Sequence, residues 1–359
     1  MYSEQVALTL SPELVQPPSE DIRATASKAR GVRMERASSI VRAMARCPGE
    51  TAELSTAGHT QCGPIVGVDA RGSRADHRSV RILSLEGNTQ RLDGGAMYGN
   101  APRMLWQDWS PPDDKNRISL ACRAMLVEDG GRKILFEAGI GVFFEPKLRE
   151  RFGVVEDRHV LLDSLAAHGI SPDEIETVVL SHLHFDHAGG LLSAHGDGPP
   201  RLVFSTAKHY VGATHWARAN KPHPRDKASF VPVLHDLLEA SGRLRLVGDD
   251  GASDLAPLVT FRFSHGHTPG LMLSQVNHPS GPIVFVADLV PGVPWVHVPI
   301  TMGYDRNPEL LIDEKRALFD EIVGAHGKLF FTHDPRVACG ALRLEGQRYR
   351  ADPGDLASL

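Results

Sequence analysis

From residue 80 onward the chain is a succession of short apolar runs, each interrupted by glycine, proline or a polar cluster. Run length decides how each reads, because strands take about four to eight residues whereas periodic helices need about ten or more. Runs at 80–85, 118–128 and 133–136 predict strands, with Asp129-Gly130-Gly131 as a hairpin turn between the last two. Further strands are predicted at 177–180, 202–204, 244–247, 259–263, 271–276, 283–287 and 328–331. Helical spacing fits 160–167, 206–218, 233–240 and 308–323, and Ser171 with Asp173 and Glu174 predicts a short capped turn. The last helix has Asn307 as cap, Pro308 at its first position, and Leu311, Leu318, Phe319 and Ile322 on one face. Strand clusters with helices interposed, in two successive halves, predict an α/β (α+β) chain in which two sheets pack together with helices outside.

Residues 1–80 differ, with scattered Pro, Ser, Gly, Ala and Arg and little sustained periodicity. They are expected to form an N-terminal extension without a packed core, the folded domain running from 81 to 350 and a short tail from 351 to 359. Within the extension, 22–46 is rich in Arg, Ala and Ser, and 34–44 has room for an amphipathic helical turn or two. A transit peptide would sit at the extreme N-terminus, so a disordered leader or an over-extended start is the preferred expectation.

Composition narrows the function by exclusion. The 359 residues are 42% hydrophobic with a formal net charge of −5, so there is no concentrated basic excess for tracking phosphates, and nucleic acid is not an expected partner. No run approaches the roughly 18 apolar residues of a membrane span, and no secretory apolar stretch opens the chain, so a cytoplasmic protein without a membrane partner is expected. The four cysteines, Cys47, Cys62, Cys122 and Cys339, lie far apart with no C-x-x-C pair, which argues against a disulfide framework or a thiolate zinc cluster.

Histidine changes the picture. Of 18 histidines, three fall in Ser181-His182-Leu183-His184-Phe185-Asp186-His187, directly after the apolar run 177–180. Imidazoles two residues apart, followed by a carboxylate and another imidazole, put four metal-ligating groups within about ten ångströms on so short a segment. Imidazole with carboxylate suits zinc, and also manganese, iron, cobalt or nickel. Ala188-Gly189-Gly190 then lets the backbone turn sharply. One such cluster cannot close two sites, and three further donors stand at strand ends: His267 in Ser264-His265-Gly266-His267-Thr268-Pro269-Gly270, Asp288 after 283–287, and His333 in Phe331-Thr332-His333-Asp334-Pro335. Taken alone, Asp288 or His333 reads as readily as an ordinary strand-end polar residue; a carboxylate ending an apolar strand is nevertheless costly unless it meets cations.

H-x-H-x-D-H, then a histidine in G-H-T-P-G, an aspartate after an apolar strand and a late histidine resemble the metallo-β-lactamase superfamily over roughly residues 83–344. The resemblance implies a four-layer αββα sandwich with two divalent metal ions, zinc foremost, at one edge of the sheets. It implies that His182, His184 and His267 hold the first metal, that Asp186, His187 and His333 hold the second, and that Asp288 bridges them. Gly94-Gly95-Ala96-Met97-Tyr98-Gly99, residues 102–106, Asn116-Arg117-Ile118 and Met302-Gly303-Tyr304-Asp305 are similar to the branch of quorum-quenching lactonases and methyl-parathion-type hydrolases. Two positions depart from it. Glu137 stands where many relatives have aspartate, and Pro291 stands where some lactonases carry a substrate-orienting tyrosine, leaving Tyr304, Tyr98 or Tyr210 as replacements.

The expectation from this resemblance is a small-molecule hydrolase in which hydroxide shared by two cations attacks a lactone or ester carbonyl of the N-acyl-homoserine-lactone type, with Asp186 as the catalytic carboxylate orienting it. Alternatives carried alongside are a phosphotriester hydrolase of the same fold and a catalytically silent metal-binding sensor. A homodimer is one assembly compatible with the chain. Pocket walls are expected from 98–109, 141–147 and 291–304, with His265 and His297 as candidate contacts near the ligands.

Overall fold

A computed structural model describes residues 80–252 and 254–354. The expectations for the N-terminal extension, for Cys47 and Cys62, and for 355–359 lie outside the described residues.

The first sheet is built from β1 (Arg81–Leu85), β4 (Ala124–Asp129), β5 (Arg132–Phe136), β6 (Thr177–Leu180), β7 (Lys208–Gly212) and β8 (Leu244–Val247), in the spatial order β1-β4-β5-β6-β7-β8. The second holds β9 (Val259–Ser264), β10 (Leu271–Val276), β11 (Ile283–Phe285), β12 (Lys328–Phe330), β13 (Cys339–Glu345) and β14 (Arg348–Pro353), in the reverse of chain order. A small ribbon pairs β2 (Gln90–Asp93) with β3 (Arg117–Leu120). Strand alternation divides the core. Met125 and Val127 of β4 and Val179 of β6 join Leu273, Phe285 and Phe330 in one apolar cluster between the sheets. Their neighbours Leu126, Val178 and Leu180 face the other way, onto Leu161 and Leu165 of the helix Val160–Ala167 and Leu234 and Leu238 of the helix Pro232–Ala240. The long helix Pro308–Gly324 packs on β13 with the buried face predicted for it, completing helix, sheet, sheet, helix.

Four expectations need correction. The run 118–128 is two strands, β3 in the small ribbon and β4 in the first sheet, because residues 121–123 between them turn to the end of the second sheet: the N–H groups of Ala121 and Arg123 donate to His333 O and Thr332 O at 3.2 and 3.0 Å. No strand forms at 202–204, where Leu202 makes only an isolated bridge to Leu192. The helix expected over 206–218 is instead β7 followed by a helix at Ala213–Asn220. His209, Tyr210 and Val211 are inserted between β6 and β8 and buried, so parallel pairing overrides their helical spacing. The strand expected at 283–287 stops at Phe285, and the chain tightens into a 3₁₀ turn, Ala287–Leu289, with Ala287 at φ +42°. That turn carries Asp288. At the C-terminal end β14 runs to Pro353, so the second sheet takes in 351–353 of the expected tail. Among the described residues no helix is long and apolar enough to cross a membrane.

One buried cation sits in this frame. Lys315, on the inner face of the long helix, donates from Nζ to Trp295 O at 3.0 Å and Ile300 O at 2.5 Å, fixing the segment before Met302. Burial pushes its ammonium from the ordinary 10.5 down to about 7, against the attraction of Asp305. The unfolded chain therefore binds more protons than the folded one between those values, and stability rises with pH across that window, by at most about 1.4 kcal/mol per pH unit. Urea midpoints from pH 7 to 10 should show this rise in the native protein, and Lys315→Met should flatten it; parallel profiles would exclude Lys315 as its source.

Candidate metal centre

All the predicted ligands leave strand ends at one edge of the sandwich. β6 delivers the loop from Ser181 to His187, which runs into the short helix Phe185–Ala188; β9 delivers His267, β11 delivers Asp288, and β12 delivers His333. The first sheet thus supplies four of the groups and the second supplies three.

They converge in two clusters. His182 Nε2, His184 Nδ1, His267 Nε2 and an Asp288 oxygen lie within 4.8 Å of one another, and Asp186, His187 and His333 form a second such group. In the first, His184 Nδ1 is 3.0 Å from His182 Nε2 and 3.3 Å from His267 Nε2. In the second, His187 Nε2 and His333 Nε2 are 3.1 Å apart, with Asp186 Oδ2 at 3.9 and 3.7 Å from them. Asp288 belongs to both: Oδ2 is 3.2 Å from His267 Nε2 and 4.0 Å from His182 Nε2, and Oδ1 is 3.3 Å from His187 Nε2 and 3.2 Å from His333 Nε2.

The outward nitrogens decide what the inward ones offer. His267 Nδ1 donates to Asp305 Oδ1 at 2.8 Å, His187 Nδ1 to Glu137 Oε2 at 2.7 Å, and His333 Nδ1 to Ala121 O at 2.6 Å. The Ser181 hydroxyl donates to Glu137, so its oxygen accepts from His182 Nδ1 at 2.9 Å. Each of these four imidazoles then turns a bare Nε2 lone pair to the centre, the arrangement in which metal-binding histidines are held. Lone pairs and two carboxylates aimed at one buried space repel unless cations lie among them, and Asp288 Oδ1 has no aligned hydrogen-bond donor. The residues present therefore fit two divalent cations. Proton affinities point the same way. Burial, reinforced by neighbouring imidazoles, holds His182 and His184 well below the usual range. For His187 and His333 burial pulls downward too, but nearby carboxylates outweigh it and raise both well above that range. Burial alone would raise the Asp288 carboxyl; His187, His267 and His333 hold it well below its ordinary value instead.

Glu137 is the hub behind the centre. It follows β5 at φ +64°, is fully buried, and accepts from Ser181, from His187 and from Thr332 Oγ1 at 3.3 Å, so one carboxylate braces segments from both sheets. With its oxygens so engaged it stands behind His182 and His187 rather than among the ligands. His215 pins the histidine loop from the side: its Nε2 accepts from Leu183 N at 2.9 Å and its Nδ1 donates to Pro269 O at 3.2 Å. The glycines after the loop serve close approach rather than an unusual turn. Gly189 has φ −61°, while a Cβ on Gly190 would lie 2.0 Å from Ala138 O.

Residues 119–333 match the sequence profile of the Metallo-beta-lactamase superfamily. The chain belongs to that superfamily. The N-acyl homoserine lactonase AiiB of Agrobacterium fabrum is 33% identical over 114 residues, 31% of this chain and 39% of the relative. N-acyl homoserine lactonase of Bacillus thuringiensis is 26% identical over 206 residues, 54% of this chain and 68% of the relative. Among solved structures, a probable metal-dependent hydrolase from Staphylococcus aureus superposes with a TM-score of 0.68 at 25% identity, covering 77% of this chain and 98% of that one. AidC, a dizinc quorum-quenching lactonase, shares the fold with a TM-score of 0.62 at 20% identity, over 77% and 95% of the two chains.

In this metallo-β-lactamase chain the two clusters form the floor of a cavity of about 330 Å³. Its walls are Leu92, Met97, Phe152, Phe185, Met302 and Tyr304, with the segment 225–229 closing one side. Only part of the wall was expected. Residues 302–304 contribute, but 141–147 stand behind, where Phe144 stacks on Phe152 with centroids 4.8 Å apart. Segment 225–229 carries no local signal beyond ordinary loop composition, whereas Asp305 closes the Met302-Gly303-Tyr304-Asp305 run that resembles the lactonase branch. Trp106 is buried against Tyr98, and Tyr98 bonds Ser110 at 2.7 Å, while Tyr210 bonds Asp254 at 2.5 Å; of the three candidate tyrosines, Tyr304 alone lines the cavity. His265 is exposed and accepts from Gly270 N at 3.1 Å. His297 faces a different and larger cleft of about 860 Å³, which contains none of the predicted ligands.

Proposed function

We propose that the chain is a dinuclear metal-dependent hydrolase that opens a lactone or cleaves a carboxylic ester, with zinc as the leading metal and N-acyl-homoserine-lactone-type molecules as the leading substrates. His182, His184 and His267 would hold one cation, Asp186, His187 and His333 the other, and Asp288 both. The observation that carries this reading is Asp288 reaching imidazoles of both clusters at the floor of a cavity walled in part by Leu92, Met97, Phe152 and Phe185. The names of the curated relatives supply the substrate class.

When bound, the two cations supply Lewis acidity and a solvent nucleophile near neutral pH. The protein's groups do the rest. Asp186, the least buried of the set, faces the cavity, where its free oxygen orients the attacking water, takes its proton and passes it to the leaving alkoxide. Leu92, Met97, Phe152 and Phe185 exclude solvent and hold an acyl chain. The Tyr304 hydroxyl, whose proton burial and the nearby carboxylates hold more firmly than usual, donates to the substrate carbonyl as charge develops on it.

Tyr304→Phe should lower kcat roughly 10- to 100-fold while metal content stays unchanged; unaltered turnover would remove Tyr304 from the reaction. The reading as a whole is tested on protein of measured metal content, with an N-acyl homoserine lactone, a γ-lactone, a 4-nitrophenyl ester and a phosphotriester. Lactone or ester hydrolysis abolished by chelation is expected. Faster phosphotriester turnover would reassign the substrate, and metal without turnover of any of them would favour a sensor.

A further inference from the structure

The cavity has a formal positive charge of its own at the rim. Arg225 lines it and is exposed, and its Nη2 donates to Gly303 O at 2.7 Å across the opening. Nothing acidic neutralises it. The adjacent Asp226 is engaged by Arg218 at 2.9 and 2.7 Å, Asp186 and Asp288 belong to the metal centre, and among the described residues no carboxylate lies within ion-pair distance of Arg225.

The guanidinium is also held in place. Pro222 and Pro224 stiffen the approach, Arg225 N donates to His223 Nδ1 at 3.1 Å, and the N–H groups of Asp226 and Lys227 both donate to His223 O at 3.0 Å. Gly303, the partner across the opening, is fixed by its own N–H to Ala96 O at 2.8 Å. An arginine that served only to tie these loops would use one of its five N–H groups, leaving the rest of a planar fork directed at cavity and solvent. Such a fork matches a carboxylate with two parallel hydrogen bonds, and apolar walls on the cavity side weaken the competition from water.

We infer that Arg225 selects substrates whose acyl chain ends in a carboxylate, so that the scissile carbonyl lies on the metal centre and the far end on the guanidinium. This rests on the hydrolase reading above for its chemistry, but the contact itself does not depend on turnover. The preferred substrate is a half-ester of a dicarboxylic acid, or a lactone whose acyl chain bears a terminal carboxylate, rather than a simple fatty acyl derivative.

Two esters of equal chain length separate the charge from the apolar fit: mono-(4-nitrophenyl) glutarate and 4-nitrophenyl valerate. The metal-loaded native protein should prefer the glutarate ester in kcat/KM, and Arg225→Gln should lower the glutarate-to-valerate ratio roughly 30-fold, with Arg225→Lys in between. Both esters slowing together at constant ratio would make Arg225 a loop tie and overturn the inference, as would a native protein without preference. Calorimetric titration of glutarate into the same metal-loaded proteins reads the contact without turnover. Binding weakened by a similar factor in Arg225→Gln is expected, and equal affinities overturn the inference. If neither ester is hydrolysed, the ester part of the hydrolase reading fails and the titration still decides the role of Arg225.

Discussion

Asp288→Ala is expected to abolish both metal binding and hydrolysis, with bound metal falling below half its native content and kcat/KM dropping at least roughly a thousandfold. The reason is position. Asp288 is the one carboxylate within 3.3 Å of imidazoles from both clusters, and the 3₁₀ turn that carries it leaves no neighbouring side chain to substitute. Removing it also leaves His187, His267 and His333 without the anion that balances them in the metal-free protein. Asp288→Asn keeps the shape while losing the charge, and should resemble alanine in metal content and lie nearer the native protein in stability. Elemental analysis alongside ester or lactone turnover checks both. A Asp288→Ala protein with full metal and full activity would refute the two-metal reading.

The second large effect is expected at Glu137, which touches no substrate. Truncation to alanine strands His187 Nδ1 in a fully buried place and takes the acceptor from the Ser181 hydroxyl, while the Thr332 hydroxyl keeps Arg123 O at 3.1 Å, at a cost of about 3–5 kcal/mol in stability. It also frees the tautomers of His182 and His187, so metal affinity should fall about 10- to 100-fold. Glu137→Gln separates the two consequences. It keeps the volume and one acceptor oxygen, yet its amide offers N–H where the Ser181 hydroxyl or His187 Nδ1 also presents a proton. Affinity for metal should therefore suffer more than folding. Denaturant midpoints and competitive zinc titration measure the two; an alanine variant that binds metal as the native protein does would show that Glu137 is packing alone. Aspartate should recover part of both losses, limited by a side chain one methylene shorter at a backbone φ of +64°.

What could be read from residue order alone follows from how far each contact reaches. His182, His184, Asp186 and His187 share one turn of chain, so their spacing is itself the geometry. His267, Asp288 and His333 could be singled out only through their order along the chain, which resembles that of the superfamily; ending an apolar run, Asp288 or His333 alone reads as readily as an ordinary strand-end polar residue. The roles of the partners that fix those histidines were not legible: Asp305, though part of a run noted for its resemblance, lies 38 residues from His267, and Ala121 lies 212 from His333. Secondary structure failed where tertiary placement overruled local pattern. Residues 208–212 carry helical spacing but pair in parallel with β6 on one side and β8 on the other, and 121–123 break an apolar run because the N–H groups of Ala121 and Arg123 bond the chain just beyond β12. Arg225 escaped notice for a related reason. An arginine in a proline-containing loop has no meaning until the cavity it overhangs is known.

The cavity and the metal centre draw largely on different parts of the chain, the exceptions being Phe185, which stands between His184 and Asp186, and residues 302–305. Ligands leave strand ends, whereas most of the wall comes from loops that touch no ligand. Such loops can change in length and composition, and so move the enzyme between substrates, without disturbing what holds the cations. Residues 302–305 do not have that freedom. Met302 N donates to Asp305 Oδ2 at 2.7 Å while Asp305 Oδ1 orients His267, so the backbone that shapes the wall is the backbone that aims a proposed ligand. Drift towards new substrates should accordingly accumulate around Leu92, Phe152 and 225–229, and stall at Met302 and Tyr304, where a gain in fit is coupled to a loss of grip on metal.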